Sequence, residues 1–583
     1  MNKKDLPVED LYEKFCDESF DKHGVLKTFV PMYEENFNFA YDVVDEIARL
    51  EPDRRAMIWT NETGEEKVFS FDDMRRYSNK TANLLVKHGV KKGDMVMLVL
   101  KRHYQFWFTI LALHKIGAVT IPATNQLMKK DYVYRFKAAD VSAIVATADG
   151  MVTDVVEESC KEYGGLKAKF VVRGSKEGWI DFDKELEEMS DEFPRADTKA
   201  LEPMLMYFSS GTTGYPKMVM HDHTYAIGHL ITAKYWHNIP ADGLHLTISE
   251  TGWGKAVWGK LYGQWMVGAI VFVYDFDKFN PPQILSLIEK YRITSFCAPP
   301  TMYRFFIKEG MEGYDLSSLK YATTAGEALN PEVYNRFLEY TGLKLFEGFG
   351  QTETTLTLCN LAGTNPKPGS MGKPSPLYKV AVVDDNGKEV PPGMTGEICV
   401  KVEEGKKQVG LFMEYYRDPE KTKSAWHDGL YHTGDTAWMD EDGYFWYVGR
   451  TDDVIKASGY RIGPFEIESV LMEHPAVMEC AVTGAPDPVR GQVVKATIVL
   501  TKNYSPSDEL VKELQQYVKK NTLPTNIPES WSSFLSCLKP SAVRSAVWTF
   551  EKPAKRPQNS KITIKSRTKI QSGFFIIRYY LFL

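Results

Sequence analysis

The chain has 583 residues, with 71 Lys and Arg against 77 Asp and Glu, which gives a formal net charge of −6 at pH 7. This length is enough for three or four domains of roughly 150 residues, so a large apolar core can be buried. The mildly acidic balance gives no reason to expect nucleic acid as a partner. Seven scattered cysteines without a CxxC pair argue against a disulfide framework or a zinc site, and they favour a reducing, cytoplasmic compartment.

Neither end of the chain carries a recognisable membrane signal. The N-terminal sequence MNKKDLPVEDLYEKF is charged and has no apolar segment of the secretory type. No stretch reaches the roughly 18–20 apolar residues that span a bilayer, and the apolar C-terminal sequence GFFIIRYYLFL is interrupted by Arg578. We therefore expect neither a signal peptide nor a transmembrane segment.

The first half of the chain alternates predicted strands with predicted helices. MVMLVL at 95–100 is typical of a buried strand, the next residues have apolar positions at helical spacing, and VTIPAT at 119–124 is strand-like again. Further strand patterns follow at 143–147, 169–172, 269–274 and 295–300. Strand–helix–strand units form parallel sheets, so the pattern predicts a large α/β domain with stacked sheets.

The pattern changes near residue 378. YKVAVVDDNGKEV, GEICVKV and YHTGDTAWMDEDGYFWYVGR alternate apolar and polar residues and carry DNG and EDG at turns, which favours antiparallel hairpins and a small β-barrel-like part. A helix is then predicted within 465–477, and strands at 477–487 and 492–500. We predict a large multi-subdomain N-terminal domain over 1–451 and a small α+β domain over 452–523.

A glycine-rich segment, MYFSSGTTGYPKMVMH at 206–221, is the first candidate for chemistry. Its glycines allow the backbone to approach phosphate oxygens, its hydroxyl groups donate hydrogen bonds, and Lys217 supplies a positive charge. The segment does not match the Walker A pattern GxxxxGK[ST]. Taken alone, it leaves phosphate binding and a flexible surface loop as equal alternatives.

The same segment closely resembles the phosphate loop of the adenylate-forming superfamily, and other strings of that family follow in the expected order. AGEALNPE (325–332) resembles its adenine-contacting turn, and EGFGQTETT (347–355) resembles the motif that contacts adenine, phosphate and magnesium. YHTGD (431–435) resembles the ribose-binding motif, and GRTDDVIKASGYRIGPFEIES (449–469) resembles the hinge before a mobile C-terminal domain. Over roughly residues 30–523 the chain is identified as similar to AMP-forming acyl-CoA synthetases.

The resemblance implies a set of binding and catalytic residues. The phosphates of ATP would be held by Ser209, Ser210, Gly211, Thr212, Thr213, Gly214, Lys217 and Thr352. The adenine and its surroundings would be contacted by Gly326, Glu327, Gly348, Gly350 and Gln351, and the ribose by Asp435 with Arg450 beside it. Glu353 would be the magnesium ligand, Asp452 the hinge, and Lys456 with Gly459 part of the face used by coenzyme A. The catalytic residues would be Lys217, Glu353 and Lys456.

The implied cofactors are ATP, Mg²⁺ and coenzyme A. A carboxylate would attack the α-phosphate of ATP to give acyl-AMP and pyrophosphate, after which the thiol of coenzyme A would displace AMP. Catalysis of this kind depends mainly on positioning and on neutralising phosphate charge. An adenylation enzyme with another acceptor, such as a carrier protein, is an alternative that dependence on free coenzyme A would distinguish. No luciferase-type oxidation is indicated.

Two sequence features indicate which carboxylic acid is the substrate. In acetyl-specific relatives a tryptophan precedes QTE and closes the acyl pocket, whereas this chain has Gly350, which predicts room for several methylenes at roughly 0.8 kcal/mol each. SETGWGKAVWGKLYGQW (249–265) resembles the medium-chain branch, in which the tryptophan matching Trp253 lines the acyl site. Ordinary core packing is the alternative for Trp253. Branched, aromatic and straight medium chains remain open, whereas an amino acid is less favoured because no carboxylate is clearly placed for its ammonium group.

The last 60 residues do not match the family. Residues 524–583 contain ten Lys and Arg against two Asp and Glu, and no Asp. The family's closing motif, Pro-Lys-Thr-x-Ser-Gly-Lys, is absent, and with it the lysine that bridges the acid and the α-phosphate. One permitted coding of residues 537–547, read from one base earlier, gives Leu-Pro-Lys-Thr-Ile-Ser-Gly-Lys-Ile-Arg-Arg. We therefore hypothesise a single-base frameshift near codons 523–524, in the gene or in its record.

The frameshift hypothesis carries a functional alternative. A tail that was not selected to fold should pack poorly, and a missing lysine should slow adenylation. The alternative function is then an ATP- and acyl-binding protein with impaired turnover.

Overall fold

The computed structural model describes residues 6–209, 215–403, 405–457, 460–487, 491–501, 503–521 and 579–582. The helices are α1 (Glu46–Leu50), α2 (Phe71–Lys87), α3 (Gln105–Ile116), α4 (Lys129–Ala139), α5 (Val152–Cys160), α6 (Phe182–Glu187), α7 (Tyr225–Leu230), α8 (Gly254–Lys260), α9 (Tyr262–Met266), α10 (Pro281–Tyr291), α11 (Pro300–Glu309), α12 (Pro331–Thr341), α13 (Pro419–Ala425), α14 (Pro464–Met472) and α15 (Asp508–Asn521). A 3₁₀ segment spans Val8–Lys14, and wider π-helical segments span Ala40–Asp45 and Ile231–Trp236.

The strands fall into five sheets. In chain order they are β1 (Cys16–Phe20), β2 (Leu26–Pro31), β3 (Arg55–Asn61), β4 (Glu66–Ser70), β5 (Met95–Val99), β6 (Val119–Pro122), β7 (Val141–Thr147), β8 (Ala168–Val172), β9 (Ile180–Asp181), β10 (Pro203–Ser209), β11 (Lys217–Asp222), β12 (Leu244–Thr247), β13 (Ile270–Asp275), β14 (Ser295–Ala298), β15 (Tyr321–Thr324), β16 (Leu345–Gly350), β17 (Leu356–Cys359), β18 (Lys373–Pro374), β19 (Lys379–Val383), β20 (Thr395–Lys401), β21 (Glu414–Tyr415), β22 (Trp426–His427), β23 (Leu430–Met439), β24 (Phe445–Arg450), β25 (Ile455–Ala457), β26 (Tyr460–Ile462), β27 (Val477–Asp487), β28 (Gly491–Leu500) and β29 (Tyr579–Phe582).

Two large sheets carry the predicted strand–helix–strand units. One has the order β21-β11-β10-β6-β5-β7-β8-β9, and the other has the order β18-β17-β16-β15-β14-β12-β13-β3-β4. Their central strands pair in parallel, as in β5 with β6 and β7 and in β12 with β13 and β14. The five residues of β5 are all buried, which is expected of a parallel strand covered on both faces.

The largest core cluster explains why the two sheets stack. It joins Trp59 of β3, Val96 of β5 and Val271 of β13 with residues of α3 and α9. Every residue of α3 is buried, and the helix ends at Gly117, whose φ of 80° is a left-handed conformation that glycine adopts without a steric penalty. The prediction of an α/β fold with stacked sheets is therefore confirmed.

The antiparallel part forms a separate sheet with the order β19-β20-β23-β22, to which β24 adds by pairing with β23. The turn at Asp440–Tyr444 joins β23 to β24 as the EDG sequence predicts. The DNG sequence forms the same kind of turn at Asp384–Lys388. The hairpin beyond this turn is short, because Glu389 meets Val383 in a single bridge and β19 pairs along its length with β20. This curled sheet corresponds to the predicted barrel-like part.

The chain divides into two compact units. The first consists of Met1–Thr433 and Trp438–Trp446, and the second of Gly434–Ala437 and Tyr447–Leu583. Within the second, α14 and α15 pack with β25–β28 around a small apolar core that includes Leu471 and Leu514. The boundary predicted at 451/452 and the mobility of the small domain stay predictions.

The structure describes little of the predicted out-of-frame tail. Residues 522–578 and 583 lie outside the described residues. Its described part, β29, pairs antiparallel with β28 between Lys495 and Ile498, so this short stretch forms a strand where we expected poor packing.

Candidate active site

The predicted phosphate loop connects two paired strands. Ser209 ends β10 and Lys217 begins β11, and these two residues face each other in the antiparallel register. The strands on either side of residues 210–214 therefore run in opposite directions. The other predicted members of this loop lie outside the described residues: Ser210, Gly211, Thr212, Thr213 and Gly214.

Lys217 and Glu353 meet beside a tyrosine that the sequence did not indicate. The Glu353 side chain is almost fully buried, and its Oε1 accepts a 2.9 Å hydrogen bond from the hydroxyl of Tyr415. Lys217 Nζ lies 3.6 Å from the same carboxylate oxygen and 3.5 Å from the Tyr415 hydroxyl. Tyr415 reaches this position because β21 pairs with β11 at the edge of the sheet.

This carboxylate is chemically suited to magnesium. Mg²⁺ prefers oxygen ligands and is usually held by one or two carboxylates together with substrate phosphates and water. Glu353 supplies one such carboxylate, and Lys217 beside it supplies a cation for phosphate oxygens. The donor set thus fits a magnesium–nucleotide complex.

Buried polar contacts hold the residues before Glu353. Gln351 donates from Nε2 to the carbonyl of Thr433 over 2.8 Å and accepts at Oε1 from the hydroxyl of Tyr431 over 2.7 Å. His221 Nε2 lies 2.8 Å from the carbonyl of Thr352. Complete burial lowers the pKa of His221 to about 3, so the ring is neutral and Nε2 donates its proton to this carbonyl. His221 and Tyr431 lie within the quoted motifs but were given no role there, and Tyr415 lies outside them. Their contacts with the candidate site join residues that are distant in sequence.

The predicted adenine turn is linked to the segment that contains Trp253. Gly326 has a φ of 104°, which favours glycine, and the Glu327 carboxylate accepts a 2.6 Å hydrogen bond from Thr301. Lys255, partly buried at the start of α8, donates to the carbonyl of Ala325 over 2.6 Å. Burial lowers the pKa of Lys255 because it disfavours the charged form. This lysine ties the two segments together.

The predicted acyl side contains a second tryptophan. Trp253 is 62% exposed, which rules out the alternative of ordinary core packing for this side chain. Trp258, one helical turn further, is buried and donates through Nε1 to the Tyr225 hydroxyl over 2.9 Å. A Cβ added at Gly350 would lie under 3.0 Å from the Trp258 ring and from the carbonyl of Thr355. The space beside Gly350 is therefore partly filled by an indole, and the expectation of simply vacant room needs this correction.

Gly348 is also enclosed by its surroundings. A Cβ at this position would lie under 3.0 Å from Leu356 and from the ring of Trp236. Both glycines of the EGFG sequence are thus required by close packing.

In the second unit, the predicted ribose residues lie together. Arg450 Nη1 donates to Asp435 Oδ2 over 3.1 Å, and the Tyr447 hydroxyl donates to Asp435 Oδ1 over 3.2 Å. Asp452 lies in an exposed turn and Lys456 in β25, where the backbone alone is described. Gly459 lies outside the described residues.

Comparison with known proteins identifies the family. The model of the AMP-binding enzyme family matches residues 44–416, and that of the AMP-binding enzyme C-terminal domain matches residues 466–532. The chain belongs to the AMP-binding enzyme family. It is 42% identical over 506 residues to the mitochondrial acyl-coenzyme A synthetase ACSM3 of Pongo abelii, covering 85% of this chain and 86% of the relative. It is 41% identical over 505 residues to the mitochondrial ACSM4 of Homo sapiens, with the same coverage.

A solved structure agrees with these relatives. The crystal structure of the anthranilate CoA ligase AuaEII with anthranoyl-AMP matches with a TM-score of 0.77 and 26% identity, covering 85% of this chain and 92% of that one. The chain is accordingly an AMP-forming acyl-CoA synthetase, an acid–thiol ligase that uses ATP, Mg²⁺ and coenzyme A with a small carboxylic acid. The alternative of a binding protein with impaired turnover gains no support from these relatives.

Among the described residues, no helix has both the length and the apolar character needed to cross a bilayer. The six described cysteines are free thiols. The predicted cytoplasmic compartment is not shown, and the relatives are named mitochondrial.

Proposed function

We propose that this acyl-CoA synthetase activates a medium-chain carboxylic acid whose acyl chain lies beside Trp253 and ends against the Trp258 ring, which fills the space next to Gly350. The resemblance of residues 249–265 to the medium-chain branch and the similarity to ACSM3 and ACSM4 support this substrate class. The Trp258 ring, which closes the space directly beside Gly350, sets an upper limit to the length of the acid. A short acid would leave the remaining apolar surface unfilled, whereas each methylene that fills such a space contributes about 0.8 kcal/mol.

The phosphate chemistry is assigned to Lys217 and Glu353. Lys217 neutralises phosphate charge as pyrophosphate leaves, and Glu353 orients the magnesium–nucleotide complex. Magnesium supplies charge neutralisation for the phosphate oxygens. Tyr415 and His221 are positioning residues, since the first donates to the Glu353 carboxylate and the second to the carbonyl of Thr352.

The remaining roles keep the assignments that the motifs imply. Gly326, Glu327 and Gln351 form the adenine side, and Asp435 holds the ribose hydroxyls. Asp452 is the hinge, and Lys456 lies on the face that receives coenzyme A. These assignments predict that Asp435→Ala weakens ATP binding, whereas Lys456→Ala slows thioester formation from supplied acyl-AMP.

The substrate proposal is tested by AMP release with straight acids of increasing length, assayed with and without coenzyme A. Trp258→Phe removes one ring of the indole, so the preferred acid should become longer, with about fourfold in kcat/KM for each newly accommodated methylene. Trp438→Phe is the matched control, because Trp438 stacks on Trp446 in the β23–β24 hairpin. A preference for acetate, or an acid profile unchanged by Trp258→Phe, would refute the assigned pocket.

The compartment is proposed separately. We propose the cytoplasm as the location, because the described cysteines are free thiols and fit a reducing compartment. The mitochondrial names of the relatives supply the competing assignment. Fractionation of cells that express the full chain decides between the two compartments.

A further inference from the structure

Three possible metal ligands of different chemistry converge on one face of the curled sheet. Glu397 and Cys399 lie two residues apart on β20, so their side chains point to the same side, and His432 lies on the neighbouring strand β23. Among the residues that the structure describes, their ligand atoms form a group in which all lie within 4.8 Å of one another. We call this group the Glu–Cys–His cluster.

The contacts within the cluster centre on the imidazole. Nδ1 of His432 lies 2.9 Å from Oε2 of Glu397 and 3.5 Å from Sγ of Cys399. The other ring nitrogen is buried and has no hydrogen-bond partner among the described residues. The polar contacts of this ring are therefore directed to the carboxylate and the thiol.

We propose that the Glu–Cys–His cluster binds a zinc-class divalent cation through Oε2 of Glu397, Sγ of Cys399 and Nδ1 of His432. Thiolate and imidazole are ligands that zinc favours and magnesium does not, which separates this site chemically from Glu353. With three protein ligands, the fourth tetrahedral position belongs to water. As the Sγ–metal bond forms, the thiol proton passes to solvent.

The spacing suits a tetrahedral ion. Zn–S and Zn–N bonds of about 2.3 and 2.0 Å place sulfur and nitrogen roughly 3.5 Å apart at a tetrahedral angle, close to the observed separation of Cys399 and His432. Nitrogen and oxygen would be roughly 3.4 Å apart, so Glu397 has to withdraw by about 0.5 Å. That movement follows when the metal replaces the hydrogen bond between them.

The cluster is accessible from one side. Cys399 is buried, but the side chains of Glu397 and His432 retain 23% and 14% of their exposure. The exposed ring of His427 stacks on His432 with centroids 3.8 Å apart and covers the imidazole face.

The test measures metal binding to the full chain without substrates. Zn²⁺ titrated by calorimetry should bind with one ion per chain, and Co²⁺ should give a thiolate-to-cobalt charge-transfer band. Cys399→Ser should abolish the band and weaken Zn²⁺ by more than about 100-fold, since even loss of an outer-shell partner typically costs 10–100-fold. Glu397→Gln, which keeps the side-chain shape, should weaken Zn²⁺ but retain the band.

A control variant and two contrary outcomes complete the test. Cys160→Ser removes a partly buried thiol elsewhere in the first unit and should change neither measurement. Absence of saturable zinc binding by the wild-type chain would overturn the proposal. So would zinc binding that Cys399→Ser leaves intact, because the ion would then be held by other groups. Circular dichroism of each variant separates lost ligation from lost folding.

Discussion

Gly350 gives the sharpest test of the packing around the acyl side. In Gly350→Ala the new methyl group would lie under 3.0 Å from both the Trp258 ring and the carbonyl of Thr355, distances that real Cβ atoms essentially never show. The indole is fixed by its bond to Tyr225, and Thr355 lies in a buried network with Tyr378. Neither neighbour can move without breaking other contacts.

Gly350→Ala should lower the free energy of unfolding because it overpacks the core. Forcing an extra carbon into a filled core typically costs 1–3 kcal/mol, and two rigid neighbours place Gly350→Ala at the upper end of that range. Trp258→Phe removes the clashing part of the indole but leaves the Thr355 carbonyl in place. In the double variant, the cost of the alanine should therefore fall by about 1 kcal/mol without reaching zero.

Urea unfolding of the wild type, both single variants and the double variant measures this coupling. Gly164→Ala is the control, because a Cβ there meets nothing within 4 Å and its φ is not positive, so the change should stay within about 0.5 kcal/mol. Strictly additive costs for Gly350→Ala and Trp258→Phe would show that the ring does not confine residue 350. Trp258 would then not be a wall of the proposed acyl pocket.

Three further predictions concern charge and the tail. Glu353→Gln should lower the rate of AMP release and raise the magnesium concentration needed for half-maximal activity. Glu414→Gln, on the exposed side of β21, should change neither quantity. An unchanged magnesium requirement in Glu353→Gln would show that Glu353 is not the magnesium ligand. Burial raises the pKa of Glu347 from 4.5 to about 8, so the folded chain binds the extra proton between these values and loses stability as pH rises through about 8. Glu347→Gln should flatten that loss in thermal melts from pH 5 to 9, and parallel curves for both proteins would contradict it. A frame-restored tail should release AMP faster than the present sequence with the same acid; equal rates, or resequencing that finds no alternative-frame motif, would dismiss the missing-lysine account.

Local patterns were sufficient to predict the central strands. MVMLVL at 95–100 and the strand pattern at 143–147 lie within one residue or two of β5 and β7. Both strands are buried along their whole length, so local sequence and tertiary environment favour the same structure. The pairing of β19 was harder to predict, since its partner β20 begins twelve residues beyond the end of β19.

The residues of the candidate site also differ in how far the sequence could predict them. Motifs identified Lys217 and Glu353 because their neighbours in sequence are characteristic, whereas Trp258 and Tyr415 depend on helices and strands brought together by folding. The Glu–Cys–His cluster had no CxxC pattern to reveal it, because its ligands come from two strands more than thirty residues apart. Spacing rules detect local ligand pairs, and this arrangement is not local.

The contacts of Glu353 also indicate which part of the phosphate site is fixed before nucleotide binds. Tyr415 donates at 2.9 Å, the length of a full hydrogen bond to a carboxylate, and such bonds typically contribute 1.5–3 kcal/mol. Lys217 is held at 3.5 and 3.6 Å, which is long for a charge-assisted bond. When the Lys217 ammonium group moves to a phosphate oxygen, it therefore loses little interaction energy. The Glu353 carboxylate keeps its orientation during this movement. A fixed anion beside a loosely held cation is the arrangement that a magnesium–nucleotide complex requires, since the metal needs a defined ligand and the phosphate needs a charge that can follow it.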